Sequence, residues 1–187
     1  FHYQTSTIKV SGLGELSVDI AFGGNIIAIV EAKDIGIETT IAGITRSRDL
    51  IVQIIDSINE QVEIQDPEKG PSKMATTGIL ISDKPTNPGA NVKNIAVTKE
   101  LFFDRSPCGT GTSGKLATLF AKGELHLGQT FTAESVIGSL FHARLVQEVD
   151  VGGKKAVVPE LTGRVFITGM HQFVIDPDDP FKYGYVL

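Results

Sequence analysis

The chain has 187 residues, enough for one sizeable domain, and its 41% hydrophobic content supplies a core. With 17 basic and 22 acidic residues it has a formal charge of -5 and no Lys/Arg cluster, so nucleic acid and anionic membranes are not expected partners. Its longest apolar run, at 26–30, is too short to span a bilayer. Its single cysteine rules out an internal disulfide or multi-thiolate metal site and fits a cytoplasmic protein.

In chain order, residues 7–10 alternate as a short strand, residues 11–14 form a turn, and residues 16–22 alternate as a half-buried strand. Gly23-Gly24-Asn25 then breaks the pattern, either as a tight β-turn or as a loop facing a ligand. Residues 26–30 read as a fully apolar strand. Thr45 is an N-cap for a helix from Arg46 to Val62, with Leu50, Ile51, Ile54, Ile55, Ile58 and Val62 in one stripe. Residues 66–71 are a loop, 77–82 a strand, 84–90 a proline-broken loop and 93–98 a strand.

Later, residues 129–137 and 140–149 read as strands, Gly152-Gly153-Lys154 as a hairpin turn, and 157–159 as a short edge segment where proline is tolerated. Further strands are expected within 161–170 and at 172–175, before a rigid loop at 176–181. Eight or nine strands with two strong helices make an α+β protein with mostly antiparallel pairing.

Between these halves lies Asp104-Arg105-Ser106-Pro107-Cys108-Gly109-Thr110-Gly111-Thr112-Ser113-Gly114. Leu116, Leu119 and Phe120 follow with helical spacing and Gly123 is a stop, so Cys108 sits at the mouth of a helix. Thr110, Thr112 and Ser113 are candidate N-caps. The first amides of a helix have no internal acceptor and favour an anion, and a thiol there is expected to have a lowered pKa. Three roles stay open for Cys108: a covalent nucleophile, which needs a base such as histidine; a general acid/base, which needs an anionic carbon acid docked on the Gly109 and Thr110 amides; or an inert buried residue. The glycines lack the spacing and lysine of a P-loop and suit a single carboxylate. His2, His126, His142 and His171 have no metal-ligand spacing, and Asp176, Asp178 and Asp179 read as turn residues.

The stretch 104–113 resembles the second catalytic cysteine motif of the proline racemase family, which includes 4-hydroxyproline epimerases and trans-3-hydroxyproline dehydratases. The segments 18–25, 85–88, 121–123, 134–139 and 176–181 extend the likeness across the chain, but over only the second half of a usual member. The resemblance implies a diaminopimelate epimerase-like half, a mostly antiparallel sheet wrapped around a central helix. It implies no cofactor or metal, and two thiols exchanging a proton at the substrate's Cα.

On this basis Cys108 is one acid/base residue, Gly109 and Thr110 give amides to the substrate carboxylate, and Asp104 accepts from the ring amine. Residues 1–15 are expected to pack with a missing N-terminal domain, 16–168 to form the racemase-type domain, and 169–187 to return to the missing domain. The family's Cys-Gly-His motif is absent, so a separate or cleaved N-terminal half is the expected partner, together with a proline-type amino acid; a homodimer stays open. Phe1 in place of Met reads as a processed product, a fragment or a lost leader. Thr98 stands where proline racemases usually place an aromatic residue and argues for a hydroxylated or altered substrate. Cys108 argues against the dehydratase branch, where threonine is usual. A non-catalytic carboxylate-binding module and a dehydratase-like lyase are the alternatives.

Overall fold

A computed structural model describes residues 3–66 and 70–185; Phe1, His2 and 67–69 of the expected loop lie outside them. Ten strands and four helices follow one another as β1 (Tyr3–Val10), β2 (Gly14–Phe22), β3 (Ile26–Glu31), α1 (Ala32–Ile35), α2 (Ile41–Arg46), α3 (Arg48–Gln61), β4 (Ile64–Asp66), β5 (Gly70–Met74), β6 (Gly78–Asp83), β7 (Val92–Thr98), α4 (Gly109–Ala121), β8 (Thr130–Glu134), β9 (Leu140–Val151) and β10 (Lys154–Thr162). Eight of the strands form one mixed sheet in the order β1-β2-β3-β6-β7-β8-β9-β10, and β4 pairs with β5 apart from it. The pairs β3–β6 and β7–β8 are parallel; the other neighbours are antiparallel. Each parallel pair needs a crossover. Helices α1–α3 lie in the first crossover and α4 in the second.

These two crossovers cover opposite faces of the sheet. In β3, Ile26, Ala28 and Val30 join Ile51, Ile54, Ile55 and Ile58 of α3 in the larger core. Ile27 and Ile29 point the other way, to Leu80, Ala21 and Cys108. A strand covered on both faces needs apolar residues at every position, which is why the 26–30 run lacks alternation. Helix α4 packs against β2, β3 and β7 and also against β10 at the far end of the strand order, which a flat sheet would not permit. Its outer end closes a second core around Leu116, Phe131, Leu145 and Val157.

Several expected boundaries move. The helix expected at 46–62 is α3, starting at Arg48 after Ser47, with the short α2 just before it. Thr40 caps α2, its Oγ1 accepting from the Gly43 amide at 3.0 Å, whereas Ser47, the N-cap of α3, makes no side-chain cap bond. Thr45 lies inside α2 and donates to the Ile41 carbonyl instead. The stripe on α3 is as expected, with Ile51, Ile54, Ile55 and Ile58 fully buried; each contributes about 1.5–3 kcal/mol. The edge segment 157–159 belongs to the longer β10, with a register shift at Val158/Pro159. The strands expected within 161–170 and at 172–175 do not form: only Leu161 and Thr162 are in β10, and residues 163–175 have no ladder. A strand exists only against another edge, and no partner edge meets this segment among the described residues. Val165 and Phe173 stand 95% and 91% exposed.

Two contacts fix the segment leading to Cys108. Gly23 lies directly against the first turn of α4: a Cβ there would stand 2.2 Å from the Thr110 carbonyl oxygen and 2.7 Å from the Gly114 amide. The segment 23–25 is thus a tight turn whose backbone closely approaches the helix. On the other side, Glu134 accepts from the Thr86 and Asn87 amides at 2.7 and 2.9 Å. The turn that follows it places Ser139, whose hydroxyl donates to the Arg105 carbonyl at 2.6 Å. Burial alone would raise the Glu134 carboxyl pKa; the Asn87 and Thr86 hydrogen bonds and nearby Lys93 together bring it below its ordinary value.

Gly23→Ala is expected to cost on the order of 1–3 kcal/mol, because backbone must move. Gly109→Ala, whose Cβ meets nothing within 4 Å, should stay within about 0.5 kcal/mol; equal losses in thermal unfolding would show that the Gly23 contact does not constrain the fold. Glu134→Gln should lower stability by about 1.5 kcal/mol at pH 7, the low end for hydrogen bonds to a charged group, since glutamine still accepts. A depressed carboxyl pKa stabilises above the unfolded value of about 4.3 and loses that contribution as pH falls through the folded value. The deficit should therefore fade in urea titrations as pH falls below that unfolded value, and a constant deficit would contradict this account.

Candidate active site

The approach to the site begins at the end of β7. The Leu101 amide donates to the Thr98 carbonyl and the Thr98 amide to the Phe102 carbonyl, both at 3.0 Å. Val97 bridges Phe103, so the chain doubles back before Asp104. The Ser106 hydroxyl then accepts from the Cys108 amide at 3.2 Å, and the Pro107 carbonyl accepts from Thr112 Oγ1 at 3.1 Å. This clamp holds Cys108 at φ 69 and ψ 122. Residues with a Cβ adopt such positive φ at a cost of about 1–3 kcal/mol, and such outliers concentrate at functional sites.

Cysteine itself is the N-cap of α4: its Sγ accepts from the Gly111 amide at 3.3 Å. The expected caps act otherwise. Thr112 and Ser113 donate back to the Pro107 and Gly109 carbonyls, and Thr110 Oγ1 lies 3.4 Å from Sγ. The Gly109 and Thr110 amides, first in the helix, have no helical acceptor. Gly111 keeps the thiol close, since a Cβ there would stand 3.2 Å from Sγ and 2.7 Å from Leu80.

The expected fall in the thiol pKa is reversed. Cys108 is only 8% exposed, and burial pushes its pKa above the ordinary value. The Thr110 hydroxyl and Gly111 amide pull it down without offsetting burial, and the Asp104 carboxylate adds to the rise by its charge and by hydrogen bonding.

Cys108, Asp104 and Thr110 line one cavity of about 200 Å³. Ile27, Ile79, Ala96 and Val97 give it apolar walls; Asn25, Thr98 and Phe102 also border it. An apolar hollow with a few convergent polar groups suits a small organic ligand. Gly109 is exposed beside the cavity and does not line it. Asn25 touches it while its own side chain caps the Ile26 amide at 3.0 Å. No histidine of the described residues borders it: His142 hydrogen-bonds Thr132, and His171 stacks on Phe173. That leaves a covalent role for Cys108 without its base. Asp176 and Asp179 accept from nearby amides as turn residues. Among the described residues no group of three or more His, Cys, Asp or Glu is arranged to hold a metal ion, and no helix is long and apolar enough to cross a membrane.

Sequence reasoning missed Phe102, Gly23, and the roles of Glu134 and Ser139 in holding the loop. Only the family-like segments at 18–25 and 134–139 signalled the last three.

The family model described as proline racemase matches residues 1–186. The chain is 43% identical to a proline racemase of Clostridioides difficile over 96% of its own length and 53% of that protein's. It is 40% identical to a 4-hydroxyproline 2-epimerase of Streptosporangium roseum, over 97% and 54%. A hydroxyproline epimerase structure from Agrobacterium vitis, with bound trans-4-OH-L-proline, superposes with a TM-score of 0.79 at 32% identity, over 97% of this chain and 52% of that one. The chain spans about half the length of the curated relatives it matches. A family match along nearly the whole sequence, on a fold shared with that epimerase, establishes that the chain belongs to the proline racemase family.

Proposed function

We propose that this chain supplies one acid/base thiol of a cofactor-independent racemase or epimerase acting at the Cα of proline or hydroxyproline. The observation that carries the reading is Cys108, held strained at the start of α4 and sharing one cavity with Asp104 and Thr110. A substrate carboxylate docks on the Gly109 and Thr110 amides, where the helix end favours negative charge. As Cα loses its proton, charge builds on that carboxylate, and the same amides stabilise it. Asp104 accepts from the ring amine. The raised pKa of Cys108 keeps it protonated at neutral pH, so it donates to the carbanion on one face while a thiolate abstracts from the other. Inversion needs groups on both faces, and this chain has one cysteine.

The second thiol belongs to an N-terminal half of the same enzyme, separate or cleaved, which closes the open side of the cavity. In this reading the chain is the diaminopimelate epimerase-like second half, its sheet wrapped around α4. Residues 16–168 are the racemase-type domain. Residues 1–15, which place β1 at a sheet edge, and residues 169–187 meet the other half. The root of the tail, at Arg164–Thr168, shares a second cavity of about 400 Å³ with Asp104, Arg105 and Ser106, so docking of the tail bears on the site loop. A lone unpaired thiol is most readily kept reduced in the cytoplasm, the compartment this reading assigns.

Cys108→Ser should lower racemisation of proline or hydroxyproline by ~10²–10⁴-fold, the range for a lost general acid/base, read by optical rotation and by exchange of the Cα hydrogen with solvent deuterium. Unchanged rates would remove Cys108 from the chemistry, and a dehydrated product without inversion would point to the lyase. Phe173→Asp touches nothing in the core of this chain, so it should change stability by under about 0.5 kcal/mol if the tail stays in water. A loss of about 2–3 kcal/mol in the whole enzyme would match burial of that ring against the other half.

A further inference from the structure

The face of the sheet that α4 covers changes character along the strands. Ile29, Leu80 and Ala96 stand side by side across β3, β6 and β7, and they pack with Cys108. Two residues away on each strand, the same face carries Glu31, Ser82 and Asn94, again in register. Ser82 and Asn94 are fully buried. Ser82 Oγ donates to Asn94 Oδ1 at 3.1 Å, and Asn94 Nδ2 meets no acceptor among the described residues. A polar row is therefore kept on the α4 side of the sheet, where hydrocarbon would cost less.

Lys115 is how the helix meets this row. It lies about two turns beyond Cys108 on α4 and is buried, at 8% exposed. Its ammonium donates to Glu31 Oε1 at 3.0 Å. Glu31 stands at the end of β3, and its side chain is 44% exposed. Replacing a buried ion pair by apolar groups commonly leaves stability unchanged or raises it, so such a pair argues for register rather than for stability. A helix face of hydrocarbon alone can slide over hydrocarbon at little cost. This one cannot, because a shift away from Glu31 would leave a buried ammonium unpaired.

We propose that Lys115 and Glu31 are positioning residues: their ion pair fixes α4 along the sheet and so aligns the Cys108 thiol with the thiol on the substrate's other face. The inference rests on the reading that Cys108 is an acid/base group at the substrate's Cα. The Gly109 and Thr110 amides and the Cys108 Sγ ride on one helix end. A shift of α4 therefore moves bound substrate and thiol together, and binding survives it. What is lost is alignment with the second thiol, which α4 does not carry. A displacement of about 1 Å at reacting groups costs up to ~10²-fold in rate.

The test uses the whole enzyme containing this chain, with L-proline and trans-4-hydroxy-L-proline as probes. Lys115→Met combined with Glu31→Gln removes both charges and leaves neither unpaired, so the unfolding midpoint should match that of the wild type. Its kcat should fall roughly tenfold or more with KM within about threefold, read by optical rotation and by exchange of the Cα hydrogen with solvent deuterium. Lys115→Arg keeps the charge and its donors, so its kcat should stay within about threefold of the wild type. Turnover of neither acid by the wild type sinks the racemase reading and this inference with it. Turnover by the wild type with kcat unchanged in the double variant overturns the inference alone. So does a kcat loss matched by a fall in the unfolding midpoint, which would make the pair structural. Should the double variant fail to fold, Glu31→Gln alone, at the half-exposed strand end, is the deciding variant: a lowered kcat at unchanged KM supports the inference, and an unchanged kcat overturns it.

Discussion

The structure depends on a helix that begins with almost no room around it. The first turn of α4 is pressed between Gly23 on one side and Ile27 and Leu80 on the other, at distances that exclude a Cβ at Gly23, Gly111 or Gly114. Because backbone meets backbone there, the position of Cys108 is set by the sheet rather than by the loop that precedes it. That loop only has to deliver a residue at positive φ, and four hydrogen bonds around Ser106, Pro107, Gly111 and Thr112 hold it there. Strain at Cys108 is tolerable because it is over-determined.

The same tightness decides the electrostatics. A helix N-terminus favours a thiolate by roughly 0.3–1 kcal/mol, or ~2 kcal/mol in a partly buried setting. Desolvation shifts a fully buried group by up to about 3–5 pKa units, each worth about 1.4 kcal/mol. Packing the helix end against hydrocarbon therefore makes burial win, and the nearby Asp104 carboxylate reinforces it. A lowered pKa would have followed from an exposed helix end. A buried one yields a thiol that holds its proton more tightly.

Strands and the α3 stripe were legible because their signal is periodic and local. Ile51, Ile54, Ile55 and Ile58 cannot face water whichever residue caps the helix. The cap was misplaced because a separate short helix, capped by Thr40, contains Thr45, and Ser47, which precedes α3, makes no side-chain cap bond. The cysteine motif was visible as a turn into a helix, and it placed Cys108, Asp104 and Thr110 within reach of one another. What stayed hidden was long-range. Gly23 reads as a turn glycine until α4 is laid across it, and Glu134 reads as a strand residue until the Thr86 and Asn87 amides reach it from a loop over forty residues away. The thiol pKa failed for the same reason, since burial is a property of the packed whole.

The segment beyond Thr162 is instructive because its sequence and its structure disagree. Residues 165–167 and 172–175 have strand composition, yet they carry exposed Val165, Phe166, Ile167 and Phe173 with no ladder. Local propensity is satisfied only when an edge is supplied. The proposed chemistry has the same shape: one thiol would serve one face of a carbon acid, and inversion would require the other. Under the proposed reading, a single N-terminal half answers both deficits, giving the tail an edge and the substrate a second thiol. Closing over the tail root beside Asp104–Ser106, it would also remove water from a cavity whose apolar walls are already in place. Assembly and catalysis then share one surface, so a substitution that frees the tail should reach the Cys108 loop without touching it.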